Sequence, residues 1–133
     1  MTGWVGNIED ATNDNTNFRT VLFTGVTSQL VVMSLKPGEE IGWEMHDDLD
    51  QFIRVESGNA KVTLGPSRDE VEATHELEHD WAVVVPGGTW HNVTNTGDTD
   101  LKLYTIYSPP EHPDGTVHKT KEEADAAEAE HDH

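Results

Sequence analysis

The chain has 133 residues and no cysteine, and its 26 acidic and 8 basic residues give a formal net charge of −18 at pH 7. The length suits one domain with a hydrophobic core, and the lack of cysteine excludes disulfides and thiolate chemistry. The charge argues against nucleic-acid binding through a basic face, and no stretch approaches the roughly 18 apolar residues of a membrane span. The expected location is therefore the cytoplasm, with no nucleic-acid or membrane partner.

The excess of negative charge has two explanations. One is an acidic tail added to an ordinary acidic surface. The other is adaptation to high salt, in which counter-ions screen the repulsion between carboxylates. The carboxylates are spread along the whole chain and only five lysines are present, which favours the second explanation.

Residues 1–17 are polar and predict an irregular arm or a weakly held first strand. The runs that follow are short, rich in β-branched and aromatic residues or alternating, and bounded by turn residues. This pattern predicts an antiparallel sandwich or barrel. The predicted strands are residues 18–24, 29–35, 41–46, 51–57, 60–64, 71–78, 81–85, 90–94 and 101–108.

The composition changes after Pro109-Pro110, so the chain divides into an arm (1–17), a barrel (18–110) and an acidic tail (111–133). Within the tail, Thr120 to Glu123 form a capping-box pattern. The Ala/Glu-rich run 119–130 predicts a short helix, and its lack of a wide apolar stripe predicts that the helix is exposed. The turn-rich segment HPDGTVH (residues 112–118) is a candidate to fold over the barrel mouth.

Four side chains with metal-binding donors lie beside two predicted turns. Glu44 and His46 are two positions apart, so on a strand they point to the same side. Gln51 follows an acidic turn, and His91 comes just after the tight turn of residues 86–88. If the strands close into a barrel, these two imidazoles, one carboxylate and one amide converge on a divalent ion.

The two stretches that carry these side chains, GEEIGWEMHDDLDQFIRVESG (38–58) and DWAVVVPGGTWHNVTN (80–95), resemble the two motifs of the cupin superfamily. The spacing of both motifs is kept, with three exchanges. Glu44 replaces the first histidine, Gln51 replaces the usual glutamate, and Asp80 replaces a glycine. The exchange at the ligands leaves one carboxylate in the set. The matching positions are Gly38, His46, Gly58, Pro86, Gly88, His91 and Asn95.

The resemblance implies a small single-domain protein with an all-β cupin jelly-roll (double-stranded β-helix) barrel, and the tail adds the short C-terminal helix predicted above. The resemblance also implies one divalent transition metal, which would be Fe, Mn, Zn, Ni or Cu. Two histidines and one carboxylate with open positions form the metal site of non-haem Fe(II) oxygenases, and His46, His91 and Glu44 supply that set. Gln51 offers a weaker oxygen donor, which either ligates or hydrogen-bonds a bound water or substrate.

The residues leave two classes of function open. In the first class, the metal is catalytic and acts on a small molecule, as in a metal-dependent dioxygenase or, as a variant, a Lewis-acid sugar isomerase or lyase. The shortage of basic residues to hold a phosphate weakens the sugar-phosphate version. In the second class, the barrel is a non-catalytic module that binds or senses a small molecule.

Outward apolar side chains and the remaining histidines complete the sequence reading. Trp43 and Phe52 are expected to face outward, and a large exposed apolar patch is unusual on a monomer, so we expect a homodimer.

The other histidines are weaker candidates for the site. They lie on the predicted surface (His75, His79), beside or within the HPDGTVH segment (His112, His118) and at the end of the tail (His131, His133).

Overall fold

The computed structural model describes residues 2–131, with side chains as far as residue 128. Two antiparallel sheets and two short helices make up the fold, which confirms the expected all-β jelly roll with a short C-terminal helix. The six-stranded sheet has the order β6-β3-β8-β2-β1-β9, and the three-stranded sheet has the order β5-β4-β7. The elements are α1 (Ile8–Asp14), β1 (Arg19–Thr24), β2 (Gln29–Leu35), β3 (Asp50–Ser57), β4 (Ala60–Gly65), β5 (Ala73–Leu77), β6 (Ala82–Val85), β7 (Trp90–Asn95), β8 (Leu101–Ser108), β9 (Val117–His118) and α2 (Lys121–His131).

The hydrophobic core lies between the two sheets, because the inward rows of both carry aliphatic side chains. Met33 and Leu35 on β2 are completely buried, as is Val62 on β4 of the other sheet. Burying an aliphatic side chain of this size stabilises a fold by about 1.5–3 kcal/mol. A slip of one residue would move these side chains to the opposite face, so the core fixes the register of the strands.

Helix α1 occupies part of the region in which the sequence predicted an irregular arm or strand, so that prediction was wrong. Asn7 caps the helix, and its side chain accepts a hydrogen bond from the Asp10 backbone N–H at 3.0 Å. Such a cap typically contributes about 1 kcal/mol. The helix contacts β2, β3 and β8, and Lys102 of β8 donates to the Asn15 carbonyl at 2.7 Å. The polar composition of this region concealed a short helix that packs on the barrel.

The prediction of a strand at residues 41–46 was also wrong. In place of a continuous ladder, isolated bridges at Glu40 and Glu44 and the Ile41 N–H, which donates to the Val93 carbonyl at 2.9 Å, join this segment to β7. Gly42 has a φ of +122°, a conformation that glycine adopts readily and other residues rarely adopt, and it interrupts the ladder. The Gly42 N–H donates instead to the Asn92 side-chain oxygen at 2.8 Å. The segment therefore lies beside β7 but is attached to it at separate points.

The polypeptide after β8 folds back along the barrel through contacts with Gln29. The Gln29 Oε1 accepts hydrogen bonds from the backbone N–H groups of Glu111 and His112 at 3.2 and 3.0 Å. The Gln29 Nε2 donates to the His112 carbonyl at 2.8 Å. Because Gln29 is completely buried, these bonds hold residues 111–112 against the inside of the barrel. β9 then pairs with β1 and extends the six-stranded sheet.

Helix α2 begins at the predicted cap. The Thr120 hydroxyl accepts from the Glu123 N–H at 3.1 Å, and the Glu123 carboxylate accepts from the Lys119 N–H at 2.7 Å. Ala124 is only 3% exposed, so one face of the helix packs against the rest of the protein, whereas the sequence predicted an exposed helix.

The division into arm, barrel and tail stays a prediction. In the described part of the chain, no helix has the length and apolar character needed to cross a membrane.

Candidate metal centre

His91 lies on a regular strand. β7 pairs with β4 along its whole length, and the alternation of side chains turns His91 inward, where it is 3% exposed. The strand follows the turn of residues 86–88. In this turn Gly88 has a φ of +87° and donates its N–H to the His46 carbonyl at 2.8 Å. The turn of the second motif therefore fixes the backbone of the first.

Glu44, His46 and His91 come together in the barrel. One carboxylate oxygen, Glu44 Oε1, lies 3.5 Å from His46 Nε2 and 3.6 Å from His91 Nε2. One donor atom from each residue falls within 4.8 Å of the others. Paired backbone hydrogen bonds between Glu44 and His91, of 2.9 and 2.8 Å, bring the two motifs into this contact. The structure thus brings together three of the four side chains that the sequence selected.

Gln51, the fourth of those side chains, lies on β3 at the same centre and is 2% exposed. Its Nε2 donates to the Thr105 hydroxyl at 3.0 Å, and its Oε1 lies 3.1 Å from His91 Nε2. His91 Nδ1 lies 3.1 Å from the Thr89 carbonyl. When Nδ1 carries the proton and donates to that carbonyl, His91 Nε2 and Gln51 Oε1 face each other with lone pairs. A cation between them would stabilise this arrangement.

The electrostatics of the cluster favour a carboxylate beside protonated imidazole in the absence of metal. Burial acts to raise the pKa of Glu44, but hydrogen bonds and charge from His46 and His91 outweigh it and lower the pKa to about 2. Burial acts to lower the pKa of His46, yet Glu44, with help from Glu111, raises it above 6.5. The carboxylate is therefore ionised at neutral pH, and a metal that binds below the raised pKa of His46 must displace a proton from this residue.

Two residues at this centre were missed in the sequence. Glu111 Oε2 lies 3.7 Å from His46 Nδ1, and burial raises the pKa of the Glu111 carboxyl. The Tyr107 ring is perpendicular to the His46 ring with centroids 6.1 Å apart. Burial raises the pKa of the Tyr107 hydroxyl well above its usual value. No spacing rule points to Glu111, because Gln29 positions it from 82 residues away.

The donor set fits a divalent transition metal. His46 Nε2 is buried and makes no hydrogen bond within the part of the chain that the structure describes, where its ion-pair contact, Glu44 Oε1, lies 3.5 Å away. A buried polar atom without a partner costs about 1–3 kcal/mol, and coordination would satisfy it. Two imidazole nitrogens, a carboxylate oxygen and an amide oxygen suit Fe, Mn, Zn, Ni or Cu. Glu44, His46 and His91 therefore form a cluster that could hold a metal ion.

The other histidines lie away from this cluster or outside the described residues. His75 on β5 and His79 are exposed, as the sequence predicted. His112 and His118 line a separate cavity beside the centre. The side chain of His131 and the whole of His133 lie outside the described residues.

Comparison with known proteins agrees with the fold and the motifs. The chain belongs to the cupin domain family, whose profile matches residues 31–107, well over half of the chain. It is 54% identical over 125 residues to YrkC from Bacillus subtilis, covering 94% of this chain and 67% of YrkC. It is 45% identical over 115 residues to L612 from Acanthamoeba polyphaga mimivirus, covering 86% of this chain and 70% of L612.

A solved structure shows the same fold at high similarity. The crystal structure of BH2720 from Bacillus halodurans superposes with a TM-score of 0.91 at 51% identity, covering 92% of this chain and 93% of BH2720. The cupin jelly roll predicted from the sequence is therefore confirmed, and Glu44, His46 and His91 form a cluster inside it that could hold a metal ion.

Proposed function

We propose that the protein binds one divalent transition metal through Glu44, His46 and His91, with the Gln51 amide oxygen as a fourth donor, and acts on a small molecule as a metal-dependent dioxygenase. The observation that carries this proposal is the convergence of three donor side chains, from Glu44, His46 and His91, whose ligand atoms lie within 4.8 Å of one another. Two imidazoles and one carboxylate leave coordination positions open for substrate and oxygen. The bound metal would supply a site at which O₂ and an organic substrate meet.

Neighbouring backbone and side-chain groups hold these ligands in position. The Thr89 carbonyl orients the His91 ring, and the Thr105 hydroxyl orients the Gln51 amide. Such supporting contacts typically change metal affinity by about 10- to 100-fold. Glu111 lies beside His46 at 3.7 Å and can accept or return a proton at its carboxyl group.

Oxygen consumption tests the catalytic part of this proposal. The protein is loaded anaerobically with Fe(II) and mixed with a panel of small organic acids, thiols and diols in an oxygen electrode. At least one compound should give oxygen uptake that is lost in His91→Ala. If no compound supports uptake above the His91→Ala background, the dioxygenase proposal is wrong. If metal still binds, that result favours the non-catalytic binding or sensing module.

A second candidate, a Lewis-acid isomerase or lyase, is favoured by Glu111. A carboxyl whose pKa is raised by burial and that lies beside the metal cluster suits a general acid or base. This reaction would need no O₂ and would proceed with a redox-inert ion such as zinc. Turnover by the zinc-loaded protein under nitrogen, abolished in Glu111→Gln, would support it and would contradict the dioxygenase proposal.

The proposal includes a homodimer formed through the outer face of the six-stranded sheet. An apolar row crosses five strands of that face in register: Phe23, Leu30, Ile106, Phe52 and Val84. Val84 is 63% exposed, and a second copy would cover the row. Trp43 is engaged within the chain, because it stacks on Trp90 with ring centroids 5.9 Å apart. Light scattering that gives a monomer mass would contradict the dimer.

The proposal also includes adaptation to high salt in the cytoplasm. A net charge of −18 on 133 residues causes self-repulsion that counter-ions relieve. The melting temperature should therefore rise between dilute buffer and molar KCl. A melting temperature that stays flat or falls over this range would contradict the high-salt explanation.

A further inference from the structure

A cavity of about 150 Å³ adjoins the metal cluster. It lies between β1, the segment of residues 111–118 and helix α2. Its walls include Arg19, Glu111, His112, His118 and the small side chain of Ala127. The space corresponds to about five water molecules, so it suits a ligand with few carbon atoms.

Arg19 gives this cavity a buried cation. The residue is 5% exposed, and one of its terminal nitrogens, NH1, lies 3.1 Å from His118 Nδ1. The guanidinium carbon lies 5.3 Å from the centre of the Phe18 ring. Its Nε is buried and has no hydrogen-bond partner among the described residues. Nε–H can only donate, so the wall offers an unused donor on a permanent positive charge.

His112 adds a second unused nitrogen to the same wall. Its Nε2 is also buried and without a hydrogen-bond partner among the described residues. Burial, and then the charge of Arg19, lower the pKa of His112 to about 3, so the ring is neutral in ordinary buffers. A buried polar atom is rarely left unsatisfied unless a ligand or water fills the position. Two such atoms beside one cavity point to a polar ligand.

We propose that this cavity binds the carboxylate of a small monocarboxylic acid through Arg19, and that this acid is the substrate held beside the metal cluster. The inference rests on the proposed function for its catalytic meaning. Guanidinium and carboxylate match in shape and charge and form paired hydrogen bonds. Glu111 and Glu128 also line the cavity, so a second carboxylate on the ligand is disfavoured. A hydroxyl or amino group, which can donate to the Glu111 carboxylate, is favoured.

Two residues connect the cavity to the metal cluster. Glu111 lines the cavity and also lies 3.7 Å from His46 Nδ1. The Tyr107 ring contacts the rings of both His46 and His112, with centroid distances of 6.1 and 5.2 Å. Glu111 and Tyr107 therefore place the cavity beside the side chains that would bind the ion.

The first test uses lactate as the probe and its neutral amide, lactamide, as the matched compound. The Arg19 Nε–H signal is followed by NMR in the full chain, both metal-free and zinc-loaded, at constant ionic strength. Lactate should shift this signal saturably in both forms, and lactamide should not. An equal response to lactamide, or no saturable response to lactate, would overturn the proposal. So would a response that requires zinc and leaves the Arg19 signal unmoved, because lactate would then be binding the metal.

Two pairs of variants test separately the charge of Arg19 and the volume of the cavity. In each variant, lactate binding is followed through the backbone amide signals of residues 111–118. Arg19→Gln should weaken lactate binding by about tenfold or more, whereas Arg68→Gln, the same change at an exposed arginine, should leave it unchanged. Ala127→Leu fills the cavity without removing a charge and should also weaken binding. Ala126→Leu, on the exposed side of the same helix, should not.

The Ala127 pair keeps the test informative if Arg19→Gln does not fold. Lactate binding that is equally strong in Ala127→Leu and Ala126→Leu would overturn the proposal. The metal-free arm also separates this inference from the proposed function. If only the proposed metal site is wrong, the metal-free protein should still bind lactate. If only the proposed carboxylate site is wrong, the protein should still bind metal.

Discussion

The two halves of the candidate metal centre are built differently. His91 lies on β7, which pairs with β4 residue by residue, and its ring contacts Thr89 and Gln51. Glu44 and His46 lie on a segment joined to β7 by isolated bridges and interrupted by Gly42. One half is thus fixed by a regular ladder, and the other is held by separate contacts. We infer that the regular strand positions His91 more firmly than the bridged segment positions Glu44 and His46.

Replacing each histidine in turn should have the largest effect on metal affinity and should distinguish the two halves of the centre. Both His91→Ala and His46→Ala remove a strong donor, so metal affinity should fall by more than the about 100-fold that a supporting residue typically contributes. His91→Ala should in addition destabilise the metal-free protein, because it leaves a cavity beside Gln51 in the core. Calorimetric titration and thermal melting of both variants check this.

Tail histidines must be controlled in these titrations. His131→Ala and His133→Ala in every protein remove adventitious sites without touching the barrel. Variants of His46 and His91 that bind metal as tightly as the parent would show that the ion lies elsewhere, and the catalytic proposal would fail with it.

Changing Gln51 should have an intermediate effect. Gln51→Ala should weaken metal binding by about 10- to 100-fold if the amide is a fourth or supporting group. Gln51→Glu should raise the affinity for hard cations such as Mn²⁺, because it adds a second carboxylate. Competition between Mn²⁺ and Zn²⁺ in the parent and both variants measures this. Equal Mn²⁺ affinity in all three proteins would place Gln51 outside the metal centre.

Metal affinity should fall as pH falls. The pKa of His46 is raised above 6.5 by Glu44 and Glu111 against the opposing effect of burial. Below that raised pKa, the metal must displace one proton, so affinity should fall about tenfold per pH unit. The pKa of Glu44 is about 2, so this carboxylate contributes nothing to the change between pH 5 and 8. Metal titrations at several pH values test this.

In the metal-free protein, the effect of His46 on stability changes with pH in the opposite direction to metal affinity. The His46 contribution is fully present below the unfolded-state pKa and is lost as pH rises through the raised folded-state pKa. Glu111→Gln is the matched variant, since it removes one of the charges that raise this pKa. The transition should then move to lower pH in both experiments. An unmoved transition would show that Glu111 does not act on His46.

The smallest expected effect concerns the attachment of the irregular segment. Asn92→Ala removes the 2.8 Å bond from the Gly42 N–H, at a cost of about 0.5–1.5 kcal/mol. Metal affinity should fall modestly, while the β4–β7 ladder stays intact. Asn92→Asp keeps an acceptor and should restore most of the affinity. If Asn92→Ala disrupts β7 itself in amide hydrogen exchange, the two halves are not independent.

The sequence predicts the regular parts of this molecule better than the irregular ones. Eight of the strands follow from apolar runs and turn residues, because those signals are local. The expected strand at residues 41–46 fails because Gly42 takes a positive φ, which alternation does not reveal. Helix α1 was missed although Asn7 and Asp10 are three positions apart at its start.

The candidate site shows the same division. Glu44, His46, Gln51 and His91 were selected because their spacing repeats that of the cupin motifs. Glu111 and Arg19 were not selected, since their places depend on tertiary contacts. Gln29 brings Glu111 to the barrel, and β9 pairs next to Arg19. Spacing within a motif is local, whereas contacts made by residues far apart in sequence become visible only in the folded chain.

Anomalous diffraction from crystals of the zinc-loaded protein tests the central claim most directly. We predict one strong peak per chain, at about 2.0–2.2 Å from a nitrogen of His46, a nitrogen of His91 and an oxygen of Glu44. A map with no peak among these three side chains, at a zinc concentration that saturates the calorimetric titration, would contradict the account.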